Sequence, residues 1–154
     1  MRVGTGLDAH QFGPNRPLML GCVEVEHTHG LVGHSDGDVV AHAICDALLA
    51  ACGGPDIGVV FSSDDERWRD VTGVRMLKVV AERVAGAGMA VVNAHAVVVC
   101  ERPRLATYRA AMQTTMTAVL GAPVTVHATT TDAMGFVGRG EGIACQAVAL
   151  LETR

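Results

Sequence analysis

Asp8 and His10 stand two residues apart in Gly6-Leu7-Asp8-Ala9-His10, at the end of a run, Arg2–Asp8, that reads as a strand. Side chains alternate along a strand, so both point to one face and offer a carboxylate and an imidazole together. His42 lies in a helical stretch announced by His34-Ser35-Asp36-Gly37-Asp38. If it meets the other two, the result is an Asp-His-His set. Three protein ligands leave one position open on zinc, the pattern of a catalytic metal site. D-x-H alone is equally compatible with a structural histidine. Asp46, one helical turn past His42, is either an outer acceptor for that imidazole or an ordinary exposed carboxylate. His27-Thr28-His29 offers a competing pair, but it sits in a polar turn before Gly30 and reads as a solvated loop.

Two further segments carry chemistry. His34-Ser35-Asp36-Gly37-Asp38 opens a helix; Ser35 and Asp36 can cap its free N–H groups, or the same groups can hold a phosphate or sugar hydroxyl. Ala128-Thr129-Thr130-Thr131-Asp132 runs into a glycine-rich stretch, Gly135-Phe136-Val137-Gly138-Arg139-Gly140-Glu141-Gly142. Threonines ending a strand satisfy β-propensity. Hydroxyls, backbone N–H groups and a carboxylate that can bind magnesium are also the parts that grip a diphosphate. No Walker A loop is present.

The elements that must position these residues follow from patterning. After the first strand come a Gly13-Pro14-Asn15 loop and a hairpin over Pro17–Val25 around Gly21. Helices are expected over Asp36–Cys52, stopped by Gly53-Gly54-Pro55, and over Gly73–Ala87 and Arg104–Leu120. Strands are expected over Met89–Glu101, Val124–Thr130 and Gly142–Glu152. Residues 1–154 form one domain, a two-layer α+β sandwich of a mixed four-stranded sheet and helices.

Hydrophobic residues make up 49% of the 154, yet aromatics only 3%, so the core is built from Ala, Val, Leu and Met. No run reaches the roughly 18–20 apolar residues of a spanning helix. Apolar strand surface is instead expected to be hidden between subunits, since both faces of Val91–Val99 are apolar. A net charge of −4 without a basic patch argues against nucleic acid. Five cysteines without a C-x-x-C pair, and no basic-then-apolar leader pattern, point to a reducing cytoplasm.

Taken together, Gly6-Leu-Asp-Ala-His10, His34-Ser-Asp-Gly-Asp38 with His42 and Asp46, Asp56-Ile57-Gly58, Ala128-Thr-Thr-Thr and Gly138-Arg-Gly-Glu-Gly142 resemble the 2-C-methyl-D-erythritol 2,4-cyclodiphosphate synthase family. The likeness runs from Arg2 to about Leu151, with the motifs in the family's order and spacing. It implies a homotrimer whose sheets surround a central channel, with active sites at subunit interfaces. It also implies cyclisation of 4-diphosphocytidyl-2-C-methyl-D-erythritol 2-phosphate with loss of CMP.

By that resemblance Asp8, His10 and His42 bind zinc, and Asp132 binds a second ion, magnesium or manganese. His34 and Thr130 stabilise the transition state. Asp8, His10, His34, Ser35, Asp56, Ile57, Gly58 and the Phe61–Asp65 segment (Phe61, Ser63, Asp64, Asp65) contact the methylerythritol phosphate side. Cys100, Pro103, Arg104, Leu105 and Ala106, with Thr129, Thr130 and Asp132, form the cytidine side, contributed by a neighbouring subunit. Phe136 and Arg139 fall near the channel mouth. Three departures stand out: Asp132 where the family usually has Glu, Ala133 where lysine is common, and Phe61-Ser-Ser-Asp-Asp65 in place of F-P-D-T-D; Arg104 replaces a frequent lysine but keeps its charge.

Overall fold

The computed structural model describes all residues from Met1 to Arg154. In chain order the strands are β1 (Arg2–Gly13), β2 (Leu18–Leu20), β3 (Val23–Val25), β4 (Gly30–Leu31), β5 (Met89–Val99), β6 (Val124–Thr129) and β7 (Gly142–Thr153). The helices are α1 (Val39–Cys52), the single turn α2 (Ile57–Val60), α3 (Gly73–Gly86), α4 (Arg109–Leu120) and the short α5 (Gly135–Gly138). The main sheet runs β4-β1-β7-β5-β6, with β5 and β6 parallel and the other neighbours antiparallel. β2 and β3 pair as the expected hairpin, apart from the main sheet. The architecture is the expected α+β sandwich, but the sheet has five strands, not four. The extra one, β4, is two residues long, too short for any periodic signal, and pairs with the end of β1 at Phe12 and Gly13.

Packing of α1 on β1 places the chemistry. Along β1 the positions Gly4, Gly6, Asp8 and His10 share one face. At Gly4 and Gly6 an added Cβ would collide with the carbonyl oxygens of Ala47 and Ala43 in α1. Backbone therefore lies on backbone there, and small residues on both elements allow the close approach. Further along the same face, where the spacing opens, the larger side chains Asp8 and His10 meet His42. The helix is buried almost all round, from Val39 to Cys45 and at Ala47, Leu48, Leu49 and Ala51, because it lies between the sheet and α3.

Helix starts differ from the sequence reading in two places. α1 begins at Val39, not Asp36, because Asp38 is its N-cap. Asp38 Oδ1 accepts the N–H groups of Val40 (3.1 Å), Ala41 (3.0 Å) and Gly21 (2.8 Å), and Oδ2 accepts that of Cys22 (2.6 Å). Ser35 and Asp36 are not caps of this helix: Asp36 accepts from the N–H of Gly73 at the start of α3. The stop at Gly53 holds, in the left-handed conformation at φ +74°, with its N–H returned to the last turn. α4 begins at Arg109, not Arg104. The N–H groups of Tyr108 and Arg109 both fall on the Leu105 carbonyl, a tight turn that leads into the helix, and the regular helix begins only after it.

On the other face of the sheet, Val3 is 66%, Leu7 74% and Val148 38% exposed. The five cysteines are free; Cys45, Cys100 and Cys145 are buried, and Cys22 and Cys52 are partly exposed. No helix is long and apolar enough to cross a membrane.

Candidate active site

Three ligand atoms converge at the β1–α1 contact. Asp8 Oδ2 lies 2.9 Å from His10 Nε2 and 3.0 Å from His42 Nδ1, and the two nitrogens are 3.1 Å apart. This is a nearly equilateral triangle, and no other His, Cys, Asp or Glu group in the chain converges in this way. One carboxylate and two imidazoles this close together fit zinc, which Asp8, His10 and His42 would hold.

Each imidazole is held from behind. The Val32 carbonyl, which can only accept, is 2.6 Å from His10 Nδ1, so that nitrogen carries a proton and Nε2 faces the triangle. A His42 that offers Nδ1 to a metal would carry its proton on Nε2 and donate it to Ser35 Oγ, 2.9 Å away. Ser35 Oγ also accepts the N–H of Gly37. Asp46 has neither of its two expected roles: its Oδ1 accepts the N–H of Ile57 at 2.9 Å and ties α2 to α1. The triangle is strongly polarised. Burial alone would raise the Asp8 carboxyl, but hydrogen bonds and charge from His10 and His42 outweigh it and hold it far below the carboxylate range. Burial opposes charge on His10 too, but the Asp8 hydrogen bond and charge, with the Val32 carbonyl, raise it above the usual imidazole value.

The triangle forms one end of a cavity of about 230 Å³ lined also by His34, Ser35, Ile57, Gly58, Phe61, Trp68, Val71 and Met76. Trp68, Val71 and Met76 had no role in the sequence reading. One signal was available: Trp68 is the only tryptophan of a chain with 3% aromatics. Its ring meets Phe61 edge-on at 4.9 Å, and Arg75 lies over it at 5.1 Å. The loop bearing His34 is pinned by Arg16, which donates to the carbonyls of Gly33 (3.2 Å) and Ser35 (2.7 Å).

Some expected residues lie elsewhere. Asp56 lines a separate cavity of about 240 Å³ with Asp46 and Pro55. Ser63 and Asp64 are exposed, and Asp65 caps a short 3₁₀ turn while pairing with Arg67 at 2.6 Å. Cys100, Pro103, Arg104, Leu105, Ala106, Thr129 and Thr130 come together in a second cavity of about 490 Å³, with Glu101, Arg102 and Ala128. The chain thus keeps His34 and Thr130 in two different cavities. Thr130 Oγ1 is 3.3 Å from Asp132 Oδ1, and Asp132 is exposed. Phe136 is exposed, and Arg139 pairs with Glu141 at 3.0 Å. His27 packs edge-on against Phe12 and joins no ligand cluster, in keeping with a loop role.

The profile of the YgbB family matches residues 1–152. A 2-C-methyl-D-erythritol 2,4-cyclodiphosphate synthase from Rubrobacter xylanophilus is 50% identical over 98% of this chain and 94% of its own. The chain belongs to this family. Among solved structures, a bifunctional IspDF from Campylobacter jejuni matches with a TM-score of 0.95 and 36% identity; it covers 99% of this chain, which spans 42% of that longer protein. A CDP-bound 2C-methyl-D-erythritol-2,4-cyclodiphosphate synthase matches with a TM-score of 0.90 and 30% identity, over 98% of this chain and all of its own.

Proposed function

We propose that this chain is a phosphorus–oxygen lyase that cyclises 4-diphosphocytidyl-2-C-methyl-D-erythritol 2-phosphate to 2-C-methyl-D-erythritol 2,4-cyclodiphosphate with release of CMP, a step of non-mevalonate isoprenoid biosynthesis. The observation that carries it is the Asp8-His10-His42 triangle opening into a cavity walled by His34 and Ile57, in a chain of this family.

Zinc is the ion that suits one carboxylate and two imidazoles with a fourth position open. Bound there, it supplies Lewis-acid polarisation of a phosphate oxygen. A single exposed carboxylate at Asp132 suits magnesium or manganese, which take one or two protein carboxylates and otherwise phosphate and water. The reaction needs no enzyme nucleophile, since the 2-phosphate of the substrate attacks the β-phosphorus of its own diphosphate. The task of the protein is to hold attacking oxygen, phosphorus and leaving CMP in line and to balance their charge. His34 and the backbone around Ile57 and Gly58 bind the methylerythritol phosphate side, and the apolar wall of Phe61, Trp68, Val71 and Met76 excludes water from it. Cys100–Ala106 with Thr129 and Thr130 hold the cytidine, and the CDP bound in the solved relative supports that nucleotide role.

The two halves line different cavities of one chain, which supports a complete site formed between neighbouring subunits; the assembly we propose is a cytoplasmic homotrimer. The exposed Val3, Leu7 and Val148 face supports an assembly in which sheets meet around a channel, with Phe136 and Arg139 near its mouth. The test is incubation of the zinc- and magnesium-loaded protein with the diphosphocytidyl substrate. Cyclodiphosphate plus CMP is the expected result, lost in Asp8→Ala and His42→Ala. A linear phosphate product, or full turnover in either variant, overturns the reading.

A further inference from the structure

Thr131–Met134 forms a turn closed by the Met134 N–H on the Thr131 carbonyl at 3.1 Å. Its two central residues, Asp132 and Ala133, both have positive φ, +52° and +64°, the backbone of a type I′ turn. Glycine and asparagine populate that region; an alanine there crowds its Cβ against the backbone and gains nothing local in return. Within the turn Thr131 Oγ1 donates to the Met134 carbonyl at 2.6 Å; a second hold reaches it from outside.

Glu101 stands at its mouth. The parallel pairing of β5 and β6 ends at Val99 beside Thr129, so Glu101 and Thr131 emerge from the sheet level with one another. One oxygen, Glu101 Oε1, accepts the N–H of Thr131 at 2.8 Å and that of Ala133 at 3.4 Å, and lies 3.1 Å from Thr131 Oγ1. These bonds bracket Asp132. Its own N–H and Oδ1 meet Thr130 Oγ1, each at 3.3 Å. The Thr131 N–H holds the Glu101 carboxyl below its ordinary range, so the acceptor is charged at neutral pH.

We infer that Glu101 is a positioning residue for the second ion: its carboxylate locks the Thr131–Met134 turn and so fixes where the Asp132 carboxylate stands. The inference rests on the reading of Asp132 as the second-ion ligand. It also accounts for how aspartate serves at a position where the family usually has glutamate. A side chain one rotatable bond shorter cannot follow a drifting backbone, so the backbone itself must be fixed.

The test measures Mn²⁺ binding to the zinc-loaded protein in the presence of CDP, by electron paramagnetic resonance of free Mn²⁺, alongside amide exchange of residues 129–135. Glu101→Ala should weaken Mn²⁺ binding about tenfold, the usual cost of removing an outer partner, and should lose protection of the Thr131 and Ala133 amides while zinc content stays unchanged. Glu101→Gln keeps an oxygen acceptor and should retain both properties. Wild-type Mn²⁺ affinity in Glu101→Ala, or a Gln variant as weak as the Ala variant, overturns the inference. Asp132→Ala separates the two claims. If it weakens Mn²⁺ binding and Glu101→Ala does not, only the positioning role fails; if it leaves binding intact, the assignment of Asp132 fails and the inference with it.

Discussion

Ser35 Oγ lies 2.9 Å from His42 Nε2 and 3.1 Å from the Gly37 nitrogen, so one hydroxyl joins the loop before α1 to a metal-facing imidazole on α1. The loop and the ligand are therefore set together. Ser35→Ala leaves the cavity wall in place but frees the His42 ring to rotate. Zinc affinity should fall by about 10–100-fold with little change in unfolding midpoint, read by competition with a chromophoric chelator. Unchanged affinity would mean that packing alone orients His42.

Gly6 makes a different kind of contribution. Its missing side chain lets the Ala43 carbonyl rest on β1, and the neighbouring turn of α1 carries His42. Gly6→Ala has only backbone to push against, so α1 must shift, at a cost of about 1–3 kcal/mol. Zinc binding should weaken as well, because the triangle spans the two elements. Gly86→Ala is the control: nothing stands within 4 Å of the added carbon, and urea unfolding should show an unchanged or slightly raised stability.

Without metal, the triangle makes stability depend on pH in two directions. The Asp8 carboxyl is depressed in the fold, so its contribution is present above the unfolded value of 3.8 and is lost as pH falls through the lower folded value. His10 is raised, so its contribution is complete below 6.5 and is lost as pH rises through the higher folded value. Zinc requires neutral His10, so the trend reverses on loading. Across the range just above pH 6.5 the metal-free protein should lose stability while zinc affinity rises. Calorimetry in buffers of different ionisation heats should detect proton release on zinc uptake near neutral pH. Absence of release would place the His10 proton elsewhere.

The sequence made the centre of the site readable and left its walls obscure, for physical reasons. Asp8 and His10 were legible because strand alternation is strictly local, and His42 because its helix has clear stops. Cap assignment went astray because Ser35, Asp36 and Asp38 are all competent caps. Only the approach of Gly21 and Cys22 from the hairpin selects Asp38, and that is a tertiary fact. Trp68, Val71 and Met76 reach the cavity from a loop and a helix start without a shared period. Arg16 acts through the reach of a long side chain that no spacing rule captures.

Asp38 is the residue on which the hairpin and α1 most directly depend. It is fully buried, and its two oxygens accept from Gly21, Cys22, Val40 and Ala41. Asp38→Ala leaves four N–H groups without this acceptor, at about 1–3 kcal/mol for each that stays dry, so a total loss above about 3 kcal/mol is expected. Asp38→Asn retains one oxygen for the three bonds now made by Oδ1 but turns an NH₂ group toward the Cys22 N–H, donor against donor. It should fall between the wild type and the alanine variant. Urea unfolding followed by the fluorescence of Trp68 gives the order directly, and an alanine variant within about 1 kcal/mol of the wild type, less than the cost of one such N–H, would remove Asp38 from this role.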